Sequence, residues 1–237
     1  MIALENLVKS FGGLQVLDGI SLNFEEGKTH VLLGSSGSGK STILRLILNL
    51  TTPDSGHIRL SQELGGREKI GYVVQDGGLF PHLTAEENVA LLSDLRGVPR
   101  KQVTRRTKEL AELVGLAPDQ IEKYPKQLSG GQKQRVSLMR ALMLDPPALL
   151  LDEPLGALDP IIRSDLQEQL RTIFRELKKT VILVTHDLNE AAYLGDSIAL
   201  LHKGRVAQRG NFSSLNKNPA NEYVRKFLDA QRPLAST

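Results

Sequence analysis

The sequence predicts an α/β fold, in which a sheet core carries an N-terminal antiparallel β portion and an inserted α-helical subdomain. Three observations lead to it. Short apolar runs separated by turn residues fill the chain up to about residue 75. A charged stretch with helical periodicity follows, from Thr84 to about Leu144. Two unbroken apolar runs, "PALLLDE" and "TVILVTHD", then end in acidic or histidine residues, as strands buried on both faces do.

Taken in order, "IALENLV", "GISLNF", "HVLLG", "GHIRL" and "KIGYVV" read as strands. One helix interrupts them, beginning at Lys40 and running through "STILRLILNL" to the turn chemistry of "TTPDSG". The helical subdomain holds "TAEENVALLSDL", "KQVTRRTKELAELVGL" and "GGQKQRVSLMRALML", broken by "GVP", "APD" and "YPKQ". Between the two buried strands, "DPIIRSDLQEQLRTIFREL" places Ile162, Leu166, Leu170, Ile173 and Leu177 on one face, the pattern of a crossover helix in a parallel sheet. The end of the chain reads as a short helical tail that frays after Arg232. The expected organisation is one domain over residues 1–237, with the sheet core in 1–83 and 146–210, the helical insert in 84–145 and the tail in 211–237.

At 237 residues, 40% hydrophobic and 24% charged, the chain can bury a large core without staples. It has no cysteine, which excludes disulfides, thiolate metal sites and a cysteine nucleophile, and suits a reducing compartment. The start, "MIALENLVKSF", lacks the parts of a signal peptide, and no apolar run approaches the roughly 18 to 20 residues of a membrane span. A cytoplasmic, non-integral protein is expected. The net charge of +3 is mild and Lys and Arg are spread along the chain, so no nucleic-acid partner is expected.

The chemistry concentrates at strand ends. In "GSSGSGKST", Gly34, Gly39, Lys40 and Ser41 match G-x-x-x-x-G-K-[ST] between a predicted strand and a predicted helix. Backbone N–H groups across Gly34, Ser35, Ser36, Gly37, Ser38, Gly39 and on to Thr42 would close around phosphates. Lys40 would neutralise β and γ oxygens, and Ser41 would ligate Mg²⁺. The alternative is a Gly-rich turn with an incidental lysine; with the strand–helix context, the pattern predicts a P-loop NTPase core binding ATP and Mg²⁺.

"ALLLDE" delivers Asp152 to the carboxyl end of a strand, where it can hold the Mg²⁺ shell, and puts Glu153 one residue beyond as general base for an attacking water. The bland reading of the pair is two acids capping the next turn. His186 follows "VILVT", where an imidazole can reach a γ-phosphate and the water. Gln75 follows "GYVV" in the same way, as a neutral side chain able to touch Mg²⁺ or water. "LSGGQ" in the helical insert has neither lysine nor preceding strand, so it is no second P-loop. Ser129, Gly130, Gly131 and Gln132 nevertheless form a capped helix start able to hold a γ-phosphate, and the ATP they would reach belongs to another copy of the chain.

In this order the motifs resemble those of the nucleotide-binding subunit of ABC transporters. "GSSGSGKS" is similar to its Walker A, "VVQ" to its Q-loop, "LSGGQ" to its signature, "ALLLDE" to its Walker B, "GALD" to its D-loop and "VTHD" to its H-loop. The resemblance implies a head-to-tail homodimer with two ATP molecules between the Walker A of one subunit and the signature of the other. It implies that Phe11 stacks on adenine and that Asp159 helps arrange the partner's site, although an Asp before Pro160 is also an ordinary helix cap. It further implies a transmembrane permease partner, reached near Gln75, a substrate-binding protein acting through that permease, and a peripheral location on the inner face of the membrane.

"GGLFPHLTAEENVAL", "THDLNEAAYLGD" and "NPANEYVRKFL" look most like importers of quaternary-amine osmoprotectants such as glycine betaine, choline or carnitine. Such solutes are held by aromatic cages, and with no Trp and 4% aromatic residues this chain leaves selectivity to other subunits. The alternative is an importer of another small solute, such as amino acids or sulfonates. A soluble ABC ATPase acting on DNA or ribosomes is the reading from another class; such proteins carry two ATPase cores or a long coiled-coil insert, and neither is seen.

Overall fold

A computed structural model describes residues 1–156 and 158–231. It divides into two compact units, one of residues 1–68 with the described residues from 180 on, the other of residues 69–179. The expected fraying beyond Arg232 lies outside the described residues.

In the first unit β1 (Ile2–Phe11) pairs antiparallel with β2 (Leu14–Phe24) on one side and with β4 (Ser55–Leu60) on the other. β3 (Thr29–Leu33) is buried at every residue, as the apolar run "HVLL" requires, and runs parallel to β7 (Thr180–Thr185) and β8 (Ser197–His202). β9 (Arg205–Gly210) closes this side antiparallel to β8.

Helix α1 (Lys40–Ile47) buries Ile43, Leu44, Leu46 and Ile47. It stops short of the expected Leu50 because Asn49 turns left-handed (φ 59), and the N–H groups of Asn49 and Leu50 fold back onto the carbonyls of Leu46 and Arg45 at 3.0 and 2.9 Å.

The β8–β9 hairpin and α7 (Leu188–Leu194) were not expected from the sequence, although the apolar run in "SIALLH", buried at four consecutive residues, was there to read. The turn residues Lys203 and Gly204 both have positive φ, 45 and 74, which suits a two-residue hairpin connection.

In the second unit β5 (Ile70–Val73) and β6 (Ala148–Asp152) run parallel. The charged segments fold as helices α2 (Ala85–Leu95), α3 (Arg100–Leu113), the short α4 (Pro118–Ile121) and α5 (Gly130–Leu142). α2 starts on a capping box in which Glu87 N–H donates to Thr84 Oγ1 (3.2 Å) and Thr84 N–H donates to Glu87 Oε2 (2.7 Å). α6 (Pro160–Leu177) buries Leu166, Leu170 and Ile173 as the periodicity predicts. It adds Phe174, while Ile162 and Leu177 are only half-buried, because a stripe of residues three and four apart drifts around a 3.6-residue helix.

The last two helices, α8 (Phe212–Lys217) and α9 (Glu222–Ala230), belong to the first unit and anchor there through Leu215, Val224 and Leu228. No helix among the described residues is long and apolar enough to cross a membrane.

His30 on β3 is 3% exposed, meets Phe24 edge-on at 5.4 Å, and donates from Nε2 to the Glu25 carbonyl at 3.0 Å. Burial pushes its pKa down, so the folded state favours the neutral ring. This contribution to stability is therefore complete above the ordinary histidine value of about 6.5 and is lost as pH falls below it. Urea midpoints measured between about pH 7 and pH 5.5 should fall more steeply for the native chain than for His30→Gln, which keeps a donor and does not titrate.

Candidate functional site

β3 and β7 pair with Leu33 opposite Thr185, so residues 34–42 and His186 leave adjacent strand ends in the same direction. The loop is shaped by close approach. A Cβ on Gly34 would lie 2.6 Å from the Leu201 carbonyl oxygen, and one on Gly39 would lie 2.5 Å from Leu17 Cδ2 and 3.0 Å from the Val16 carbonyl. Gly39 is left-handed (φ 100) and serves as N-cap of α1 without a side-chain cap bond. The first helical bond runs from Ile43 N–H to the Gly39 carbonyl at 3.1 Å, so the N–H groups ahead of it are not consumed inside the helix.

Lys40 is 4% exposed, and its ammonium curls into the loop, donating to the carbonyls of Gly34 (2.8 Å) and Ser35 (3.0 Å). Ser38 is buried, and its Oγ has no hydrogen-bond partner. Ser35, Ser36 and Gly37 form the exposed rim, with Ser41 and Thr42 half-buried below it. An ammonium, an orphaned hydroxyl and a helix start converge on one loop, and that donor set fits a polyphosphate.

Beyond Leu33's neighbour, Thr185 Oγ1 donates to Glu190 Oε2 at 2.5 Å and accepts from Asp187 N–H at 3.0 Å. Asp187 caps α7 by accepting from Asn189 and Glu190 N–H. His186 is thereby set between a fixed strand end and a capped helix. In the same unit Phe11 ends β1, 47% exposed, with Lys9 Nζ 5.2 Å from its ring centroid. Lys9 is held by Asp54 at 2.8 Å, and that ammonium, with Ser10 N–H, keeps the Asp54 carboxyl below the usual range.

The second unit repeats the strand-end device. Val73 lies opposite Leu151, so Gln75 and the pair Asp152 and Glu153 emerge at neighbouring ends. Asp152 is 4% exposed, with the Tyr72 hydroxyl 3.5 Å from Oδ2. Glu153 has φ 45, a left-handed conformation that costs a non-glycine residue on the order of 1 kcal/mol or more. In this unit Gln75 offers an amide and Asp152 a carboxylate, and in the first unit Ser41 offers a hydroxyl, each taken by itself a hard oxygen donor of the kind Mg²⁺ accepts. Among the described residues no group of three or more His, Asp or Glu side chains is placed to hold a metal ion.

Ser129 caps α5: Oγ accepts from Gln132 N–H (3.3 Å) and Gln132 Oε1 accepts from Ser129 N–H (2.9 Å). Ser129 and Gly130 are exposed, whereas Gly131 is buried, and a Cβ there would lie 2.6 Å from Ile162 Cγ2. Asp159 is engaged as the N-cap of α6, accepting from Ile161 and Ile162 N–H at 3.2 and 3.1 Å. Its motif neighbour Ala157 lies outside the described residues.

Three residues of this unit were missed in the sequence. Ser137 Oγ donates to the Gly77 carbonyl (2.8 Å), and Arg140 donates to the carbonyls of Gly78 (2.6 Å) and Gly77 (2.8 Å), fixing the turn after Gln75 to α5. Fully buried Asn88 accepts from Phe80 N–H and donates to the carbonyls of Phe80, Leu83 and Thr84. Of the three only Asn88 carried a signal, as a polar residue on the apolar face of a predicted helix.

Compared with known proteins, residues 17–156 match the profile described as "ABC transporter". The choline transport ATP-binding protein OpuBA of Bacillus subtilis is 40% identical over 100% of this chain, which spans 64% of OpuBA's length. The glycine betaine uptake system ATP-binding protein YehX of Escherichia coli is 44% identical, over 96% of this chain and 76% of YehX. A sulfate/thiosulfate import ATP-binding protein, CysA of Thermosynechococcus vestitus, is 43% identical over 99% of this chain and 71% of its own. The dimeric post-hydrolysis structure of the cassette MJ0796, bound to ADP and Pi, superposes with a TM-score of 0.78 at 34% identity, over 90% of this chain and 99% of that one.

The packing around Gly39 gives a direct test of the loop. Gly39→Ala should destabilise the chain by about 1–3 kcal/mol in urea unfolding, through the left-handed backbone and the crowding at Leu17 and Val16.

Proposed function

The chain belongs to the ABC transporter family, and from that premise we propose that it is the ATP-hydrolysing, energy-coupling subunit of an importer for quaternary-amine osmoprotectants. The observation that carries the ATPase reading is the placement of each candidate reacting group at a strand end beside a second one: residues 34–42 with His186, and Gln75 with Asp152 and Glu153.

Residues 34–42 bind the phosphates through backbone N–H groups, and Lys40 exchanges its carbonyl partners for β and γ oxygens. Glu153, held by its backbone turn at the end of β6, orients and deprotonates the attacking water, an effect worth roughly 10²- to 10⁴-fold. His186 hydrogen-bonds the γ-phosphate as charge builds there. Mg²⁺ would neutralise β and γ oxygens when bound, with Ser41, Asp152 and Gln75 as its protein contacts. Phe11 offers adenine the ring face not covered by Lys9.

Ser129 and the exposed start of α5 close on the ATP of a second copy, so that nucleotide favours the closed dimer and hydrolysis releases it. The dimeric state of the related cassette supports this arrangement. The permease contact falls on the second unit, where Phe80 (44% exposed) and, along α2, Leu92 (44%) and Leu95 (76%) present apolar side chains to solvent. That contact makes the chain a peripheral protein on the inner face of the membrane, and the substrate-binding protein acts through the permease. OpuBA and YehX, named for choline and glycine betaine, support the solute class, and the sulfate/thiosulfate importer keeps inorganic anions as the second reading.

The test uses Glu153→Gln. The variant should bind Mg·ATP, accumulate as dimer and lose most hydrolysis, roughly 10²-fold or more; turnover like the native chain would reject Glu153 as the base. In source cells lacking other betaine importers, replacing the native chain with this variant should abolish uptake of labelled glycine betaine and choline while sparing sulfate. Loss of sulfate uptake alone would move the assignment to the anion class.

A further inference from the structure

Beyond the motifs, one side chain grips the backbone on both sides of Asp187. Gln231, at the end of α9, donates from Nε2 to the His186 carbonyl (2.9 Å) and accepts at Oε1 from Leu188 N–H (2.7 Å). A carbonyl and the N–H two residues on are the pair that a neighbouring strand would satisfy, and a primary amide can satisfy both at once. The segment leaving β7 is thus held from the outside by a residue 45 positions away.

The helix carrying Gln231 is itself tied down along its length. Before α9, Gln208 of β9 makes the same kind of two-ended grip, donating to the Asn218 carbonyl (2.9 Å) and accepting from Ala220 N–H (2.8 Å). Asn221 caps the helix through Val224 N–H at 3.0 Å. Tyr223 stacks on His202 with ring centroids 3.5 Å apart, and Val224 and Leu228 are buried. A strap fixed at its start and along its inner face delivers its last residue with little freedom.

We propose that Gln231 is a positioning residue for His186: the C-terminal strap sets the backbone from which the imidazole is presented. This rests on the ATPase reading above, in which His186 meets the γ-phosphate. The strap contributes nothing to nucleotide binding and acts on the chemical step alone. Displacement of a reacting group by about 1 Å is enough to cost roughly 10- to 100-fold in rate.

The experiment compares the full native chain with Gln231→Met, which keeps length and removes both bonds, and with Gln231→Glu, which keeps the acceptor for Leu188 N–H and loses the donor to His186. Gln231→Met should lower kcat for Mg·ATP roughly 10-fold, leave KM within about twofold, and speed exchange of the Leu188 amide. On a His186→Ala background the same substitution should cost nothing further, because both changes remove one function. Gln231→Glu should fall between the two and serves as the test if the Met variant melts early.

Native kcat in the Met variant, or an equal loss on the His186→Ala background, would overturn the proposal and leave Gln231 as a simple helix tie. A native chain that hydrolyses no ATP would fail differently, taking the ATPase reading with it.

Discussion

Parallel pairing in register is the constraint on which the candidate site depends. Five consecutive buried residues in β3 leave no alternation of polar and apolar faces to choose a register, so apolar burial alone would tolerate a slip. The choice is made at the other end of the strands, by polar contacts. Thr29 N–H donates to Asp196 Oδ2 (2.8 Å), Asp196 N–H donates to the Thr29 carbonyl (2.8 Å), Gly27 N–H donates to Thr180 Oγ1 (3.1 Å) and Val181 N–H to the Lys28 carbonyl (3.0 Å). These four bonds sit at the amino ends of β3, β7 and β8, and they determine which residues appear at the carboxyl ends. The chemistry at Gly34 and His186 is placed by groups a strand length away.

Much of this was legible in the sequence because it is local. A glycine-rich loop before a helix, an apolar run ending in acids, and a Ser–Gly–Gly–Gln cap each state their geometry within ten residues or so. What escaped reading is non-local. Ser137 and Arg140 bond a turn some 60 positions earlier, and Gln231 bonds 45 positions back; no spacing in the sequence announces either. The β8–β9 hairpin escaped for another reason, since its Lys–Gly turn lacks the Asn–Gly or Asp–Gly signature that draws the eye. Asn49 ended α1 early by the same left-handed device, against helix-favouring neighbours on both sides.

A common physical solution runs through the loops. Asn88, Gln208 and Gln231 each use both ends of one amide on backbone groups that no sheet or helix satisfies. Segments that must leave regular structure to reach a ligand carry unpaired N–H and C=O groups, and burying those without partners costs a few kcal/mol each at most and about 1 at least. An amide side chain resolves the donor and the acceptor together and remains neutral at every pH the chain meets.

The grip of Ser137 and Arg140 on Gly77 and Gly78 gives α5 a mechanical character. Ser129 stands eight residues from Ser137, roughly 12 Å along the helix axis. With the turn after Gln75 bolted to it at Ser137 and Arg140, α5 has the form of a lever whose pivot is that turn and whose free end is the serine cap. A tilt of about 10° about that attachment swings the cap by roughly 2 Å, less than one hydrogen-bond length and yet enough to make or break one. Through the stiffness of its helical residues, a small rotation at that turn would become a displacement of atomic consequence at the serine cap.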